Sequence, residues 1–117
     1  MIVDDEPLFQ ELMQDIFKSA DIELTSAYNG DQALSYPEQD LYVLDLGMPG
    51  MDGKTTSDAL MKKFGHPVPI ILITGYDINT LENLEKQPNI QRILQKPFDV
   101  DELKALIQKH FENTPSE

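Results

Sequence analysis

The sequence predicts an α/β sandwich built on a five-stranded parallel sheet. Three observations lead there. Short apolar runs alternate with segments of helical period along the chain. Runs such as Leu41 to Leu44 and Val68 to Ile73 read as strands buried on both faces, and the segments between the runs read as the helical crossovers that parallel strands require. At 117 residues the chain is one domain's worth, enough for a core and too short for two.

Met1-Ile2-Val3 is the stub of a buried strand, cut off at Asp4. Pro7 suits the first turn of a helix, in which Leu8, Phe9, Leu12, Met13, Ile16 and Phe17 recur at helical spacing. Ile22 to Tyr28 is strand-like, and Asn29-Gly30 marks a turn. A short helix through Ala33 and Leu34 is ended by Pro37. Leu41 to Leu44 is the third strand, closed by Asp45. The loop from Gly47 to Gly53 leads into a helix with Ala59, Leu60, Met61 and Phe64 on its apolar face; in that loop Asp52 fixes a turn rather than touching a metal. Val68 to Ile73 is the clearest buried strand, with Thr74-Gly75 at its end. Ile78, Leu81 and Leu84 point to a weakly anchored fourth helix. Ile90 to Leu94 is the fifth strand, closed by Lys96-Pro97. The last helix opens on Asp99 and Glu102, spaced as a capping box, with Phe98 placed to staple onto Leu103. Residues 1–112 form the domain, and 113–117 read as a flexible tail or the start of a linker.

Composition removes several functions. A net charge of −12 argues against binding nucleic acid, whose phosphates reward Lys and Arg, and against an anionic membrane. With no cysteine, disulfides, thiolate catalysis and cysteine-held metals are excluded. Asp4-Asp5-Glu6 is the reverse of a signal peptide's basic start. The longest apolar block, Val68 to Ile73, is interrupted by Pro69 and falls far short of the roughly 18 residues that span a bilayer. The expected compartment is the cytoplasm.

Ligands of an open parallel sheet bind beyond the carboxyl ends of its strands. The first strand ends at Asp4-Asp5, the third at Asp45, the fourth at Thr74 and the fifth at Lys96, with Asp5, Asp45, Thr74 and Lys96 spaced 40, 29 and 22 positions apart in turn. The fold gathers these side chains into one site. Three carboxylates together call for a divalent cation with oxygen ligands, and Mg2+ suits a site that keeps room for phosphoryl oxygens. A lysine and a hydroxyl beside it supply donors, and phosphoryl transfer needs mainly alignment and charge neutralisation. Asp45, at the end of the central strand, is the natural nucleophile.

The runs Val3-Asp4-Asp5-Glu6, Leu44 to Gly53, Ile73-Thr74-Gly75 and Lys96-Pro97-Phe98 resemble the motifs of response-regulator receiver domains, in order and over essentially the whole chain. The resemblance implies a flavodoxin-like (βα)5 three-layer sandwich with strand order 2-1-3-4-5. It implies that Asp4 and Asp5 hold Mg2+ together with Asp45 and the Gly47 backbone carbonyl, and that Asp45 takes a phosphoryl group from a sensor histidine kinase or a histidine phosphotransfer protein. Thr74 and Lys96 would grip the phosphoryl oxygens, and the Lys96-Pro97 bond would be cis. The signal would leave through a shift of the face around residues 74–96 toward an output protein or domain that the sequence does not name. Three departures stand out: the first strand is short, the stretch from Asp5 to Asp45 is a few residues short around Ser35 to Gln39, and Ile93 stands where many members carry a switching Tyr or Phe.

Other functions fit less well. A phosphatase using an aspartyl-phosphate commonly needs a second aspartate two positions after the nucleophile, and Gly47 stands there, so no turnover of external substrates is expected. A degenerate receiver would lack a key residue. A flavin protein would need a phosphate-cradling loop where Asp4-Asp5-Glu6-Pro7 lies. With no effector following, the chain reads as a stand-alone regulator or one domain of a larger protein.

Overall fold

The computed structural model describes residues 1–18, 20–48, 50–75 and 86–112. Five strands, β1 (Ile2–Val3), β2 (Ser26–Ala27), β3 (Tyr42–Asp45), β4 (Ile70–Thr74) and β5 (Ile90–Gln95), form one parallel sheet in the order β2-β1-β3-β4-β5. Four helices are described: α1 (Pro7–Ile16), α2 (Gly30–Ser35), α3 (Gly53–Phe64) and α4 (Val100–Glu112). The helix expected around Ile78 to Leu84, and the tail expected at 113–117, lie outside the described residues.

The uninterrupted apolar runs follow from this layering. Along β3 and β4, alternate residues serve opposite faces. Tyr42, Leu44, Ile70 and Leu72 pack with Ala33 and Leu60 from α2 and α3. Val43, Ile71 and Ile73 pack with Met13 from α1, Phe17 just past its end, and Leu103 and Ile107 from α4. Each fully buried aliphatic side chain contributes about 1.5–3 kcal/mol, so the sheet's two faces carry most of the stability.

Local chemistry sets the helix ends. Pro7 opens α1. Asn29 caps α2 by accepting from the Gln32 amide at 2.7 Å. Asp52 caps α3 through the Thr55 amide at 2.8 Å, as its turn-fixing role predicts, and Gly65 ends that helix in the left-handed region at φ 78°.

Two local expectations are corrected. The second strand is Ser26–Ala27 rather than Ile22 to Tyr28, because β1 offers only Ile2 and Val3 as ladder partners. At α4, Asp99 accepts from the Asp101 amide at 2.9 Å, but the Glu102 carboxylate sits 3.8 Å from Arg92 instead of closing a capping box. Phe98 does join Leu103 in the core, and it packs edge-on against Phe9 at 6.2 Å. The Lys96-Pro97 bond is cis.

Candidate functional site

The carboxyl ends of β1, β3, β4 and β5 meet where the sequence places a site. Strand register does the positioning. Val3 pairs with Leu44, so Asp4 and Asp5 emerge beside the end of β3, where Asp45 is the last residue. Asp45 pairs with Ile73, and Thr74, the last residue of β4, lies one step beyond. Thr74 in turn pairs with Gln95, and its carbonyl accepts the Lys96 amide at 2.7 Å. The Leu46 amide bonds the Ile73 carbonyl at 2.7 Å, which fixes the chain just past Asp45.

Asp4, Asp5 and Asp45 each offer an oxygen, and the three atoms lie within 4.8 Å of one another. Asp4 and Asp45 are buried, while Asp5 is exposed. One Asp45 oxygen, Oδ1, accepts the Gly47 amide at 3.0 Å, and the other, Oδ2, lies 3.3 Å from the Lys96 ammonium. Asp4 Oδ1 accepts the Glu6 amide at 2.9 Å. Burial pushes the Asp4 carboxyl up to about 6, and the charges of Asp45 and Asp5 push the same way. The Glu6 amide and Lys96 only partly oppose them.

The donor set fits a hard divalent cation. Three carboxylates converge at one point, and only one cation, half-exposed Lys96, faces Asp45 among the described residues. Burial raises the Asp4 carboxyl first and the charges of Asp45 and Asp5 raise it further, and a bound cation would oppose both.

The close packing that holds this site explains two glycines. A Cβ on Gly53 would stand 2.8 Å from the Asp45 carbonyl oxygen and from the Leu46 Cα, so α3 starts directly against the backbone at Asp45 and Leu46. A Cβ on Gly30 would collide with Thr56 Oγ1 and stand 2.7 Å from Met51 Sδ.

Beside the acidic cluster lies a groove lined by Asp4, Glu6, Phe9, Lys96, Pro97 and Phe98. On α1 next to it, Leu8 is 76% exposed and Leu12 43%. Ile93 is buried. His66 pairs with Glu38 at 3.0 Å, away from the site residues along the chain and outside the acidic cluster. Sequence reasoning missed Gln10, whose side-chain amide is buried against the end of β1. The available signal was its position three before Met13 and seven before Phe17, on the core-facing side of α1.

A family model described as response regulator receiver domain matches residues 1–108. Sporulation initiation phosphotransferase F of Bacillus subtilis is 30% identical over 113 residues, covering 94% of this chain and 90% of that protein. Transcriptional regulatory protein CrdR of Helicobacter pylori is 31% identical across 99% of this chain, which spans 56% of that longer protein. Among solved structures, response regulator TrrA of Thermotoga maritima, determined in complex with Mg2+ and BeF, is 31% identical with a TM-score of 0.76, over 93% of this chain and 95% of that one. The receiver domain of Francisella response regulator 1452 has a TM-score of 0.81 at 25% identity, over 97% and 96%.

Proposed function

The chain belongs to the response regulator receiver domain family, whose members are phosphorylated by histidine kinases, and on that premise we propose that Asp45 is its phosphoacceptor. The observation that carries the proposal is the placement of Asp45, with one oxygen held by the Gly47 amide and the other facing Lys96.

In the proposed reaction an Asp45 oxygen attacks the phosphorus of a phosphohistidine. The P–N bond breaks, its electrons return to the imidazole, and the imidazole takes up a proton as it leaves. The Gly47 amide fixes the carboxylate's orientation before attack, which lowers the entropic part of the barrier. Lys96 offers an ammonium to the phosphoryl oxygens, and Thr74, one register step from Asp45, offers a hydroxyl. Asp4, Asp5, Asp45 and the Gly47 carbonyl would hold Mg2+. When bound, that ion supplies positive charge where negative charge gathers on the phosphoryl oxygens.

The phosphoryl donor is a sensor histidine kinase or a histidine phosphotransfer protein. The groove lined by Phe9, Pro97 and Phe98, beside exposed Leu8 and Leu12, is the proposed surface for its approach. Gly47 stands where an aspartyl-phosphate phosphatase would carry its general acid, so the domain performs its own phosphorylation and dephosphorylation without turning over external substrates. No described helix is long and apolar enough to cross a membrane; the cytoplasm is the proposed location. The signal leaves through a shift of the face around residues 74–96, of which 76–85 lie outside the described residues.

Incubation with acetyl phosphate and Mg2+ tests the assignment. The wild type should gain one phosphoryl group per chain and Asp45→Asn none; equal labelling of both would sink it.

A further inference from the structure

Gln10 lies one turn into α1, on the side facing the sheet, and is 1% exposed. Its Nε2 lies within hydrogen-bond distance of three backbone carbonyls: Ala27 at 2.8 Å, Ile2 at 3.0 Å and Asp4 at 3.1 Å. Its Oε1 is buried and has no partner. A side-chain amide carries only two hydrogens, so three acceptors share two donors while the acceptor end goes unused. Reversing the amide would set its oxygen against all three carbonyls, so the orientation is fixed by repulsion as well as attraction. Leaving a buried acceptor unpaired costs about 1–3 kcal/mol, and the position therefore selects strongly for a donor.

The three carbonyls are not arbitrary. Ile2 and Asp4 flank the end of β1, and Ala27 ends β2 and already accepts the Asp4 amide at 3.0 Å. The Asp4 carbonyl belongs to the peptide that joins Asp4 to Asp5. Rotation about the Asp4 Cα–C bond moves that carbonyl and swings the Asp5 Cα and its carboxylate with it. Asp4 is itself held by burial and by the Glu6 amide. Asp5 is exposed, and no hydrogen bond to its carboxylate is present among the described residues. Its direction toward Asp45 thus depends on the backbone that precedes it.

We infer that Gln10 is a positioning residue for the cation site: by clamping the Asp4 carbonyl to the ends of β1 and β2, it aims the Asp5 carboxylate at Asp45. This rests on the reading of Asp4, Asp5 and Asp45 as the Mg2+-holding group. Gln10 touches neither cation nor phosphoryl group and acts only through the Asp4–Asp5 peptide.

Gln10→Met keeps the length and removes the donors. Groups that orient metal ligands are typically worth 10–100-fold in metal affinity, so half-saturating Mg2+ for labelling by acetyl phosphate should rise about tenfold or more. The rate at saturating Mg2+ should stay within about a factor of two, because the machinery around Asp45 is untouched. A role confined to packing would lower the melting temperature and leave the half-saturating Mg2+ concentration unchanged, and that result in a folded Gln10→Met would overturn the inference. A measurement on the wild type stands even where the variant does not fold. In a Mg2+ titration followed by NMR, the Gln10 side-chain amide and the Asp5 backbone amide should shift together with one midpoint. Mg2+ binding that moves Asp5 and leaves the Gln10 amide still would overturn the inference while the cation site survives. A wild type that neither binds Mg2+ nor takes label would overturn the phosphoacceptor reading, and this inference with it.

Discussion

At the scale of single residues, burial and the neighbouring carboxylates act on Asp4 in the same direction. Its carboxyl sits at about 6 against an ordinary 3.8, raised first by burial and then by Asp45 and Asp5. A carboxyl raised in the folded state holds its proton more tightly there than in the unfolded chain. The stability it contributes is therefore fully present below 3.8 and lost as the pH rises to about 6. A cation needs the ionised form, so protons compete with it. Without metal, acid should raise the melting temperature through this group, opposed by whatever other carboxylates contribute. The increment that Mg2+ adds should shrink as the pH falls through about 6, and melts with and without Mg2+ on both sides of that value check it. The residues of this site were legible because each one ends an apolar run: Asp4, Asp45, Thr74 and Lys96 are polar where a buried strand must stop. Gln10 was not legible in the same way. A glutamine in an amphipathic helix ordinarily faces water, and only its spacing from Met13 and Phe17 marks it as buried.

At the scale of elements, α3 is the part whose placement matters most to Asp45. It begins against the Asp45 carbonyl, capped by Asp52 and admitted by Gly53. The two residues should therefore respond differently. Asp52→Ala removes a cap worth about 1 kcal/mol and should lower stability by that amount while labelling of Asp45 persists. Gly53→Ala forces a methyl to 2.8 Å from backbone that cannot yield locally. It should cost about 1–3 kcal/mol and slow phosphorylation as well, because relief requires moving α3 or the chain after Asp45. Chemical denaturation and acetyl phosphate labelling of both variants test the contrast. Strands β3 to β5 were readable to within a residue or two, since burial on both faces leaves no polar residue inside the first two and bounds the third. β2 was over-read because β-branched Ile22 and Thr25 suit a strand, whereas ladder length is set by the partner, and β1 supplies two residues. Glu102 was misread for a related reason: spacing offered a capping box, but Arg92 on β5 lies within 3.8 Å, a tertiary neighbour that local sequence does not reveal.

At the scale of the molecule, a chain of net charge −12 concentrates three carboxylates at one end of its sheet. Folding brings them together, and a cation bound only by the folded state returns stability by mass action. At ten times its dissociation constant Mg2+ should add about 1.4 kcal/mol. The melting temperature of the wild type should rise accordingly, and that of Asp5→Asn much less; an equal rise in both would remove Asp5 from the metal site. The parallel sheet with helical crossovers was legible from the alternation of runs, whereas the strand order was legible only through the motif resemblance. In the proposed reaction one carboxylate, that of Asp45, becomes an acyl phosphate. Borohydride reduces an aspartyl-phosphate to homoserine and leaves free carboxylates untouched, so it marks the acceptor in the intact wild-type protein. After phosphorylation and reduction, peptide mapping should find homoserine at position 45 alone; conversion at Asp4, Asp5 or Asp52, or none anywhere, would contradict the account.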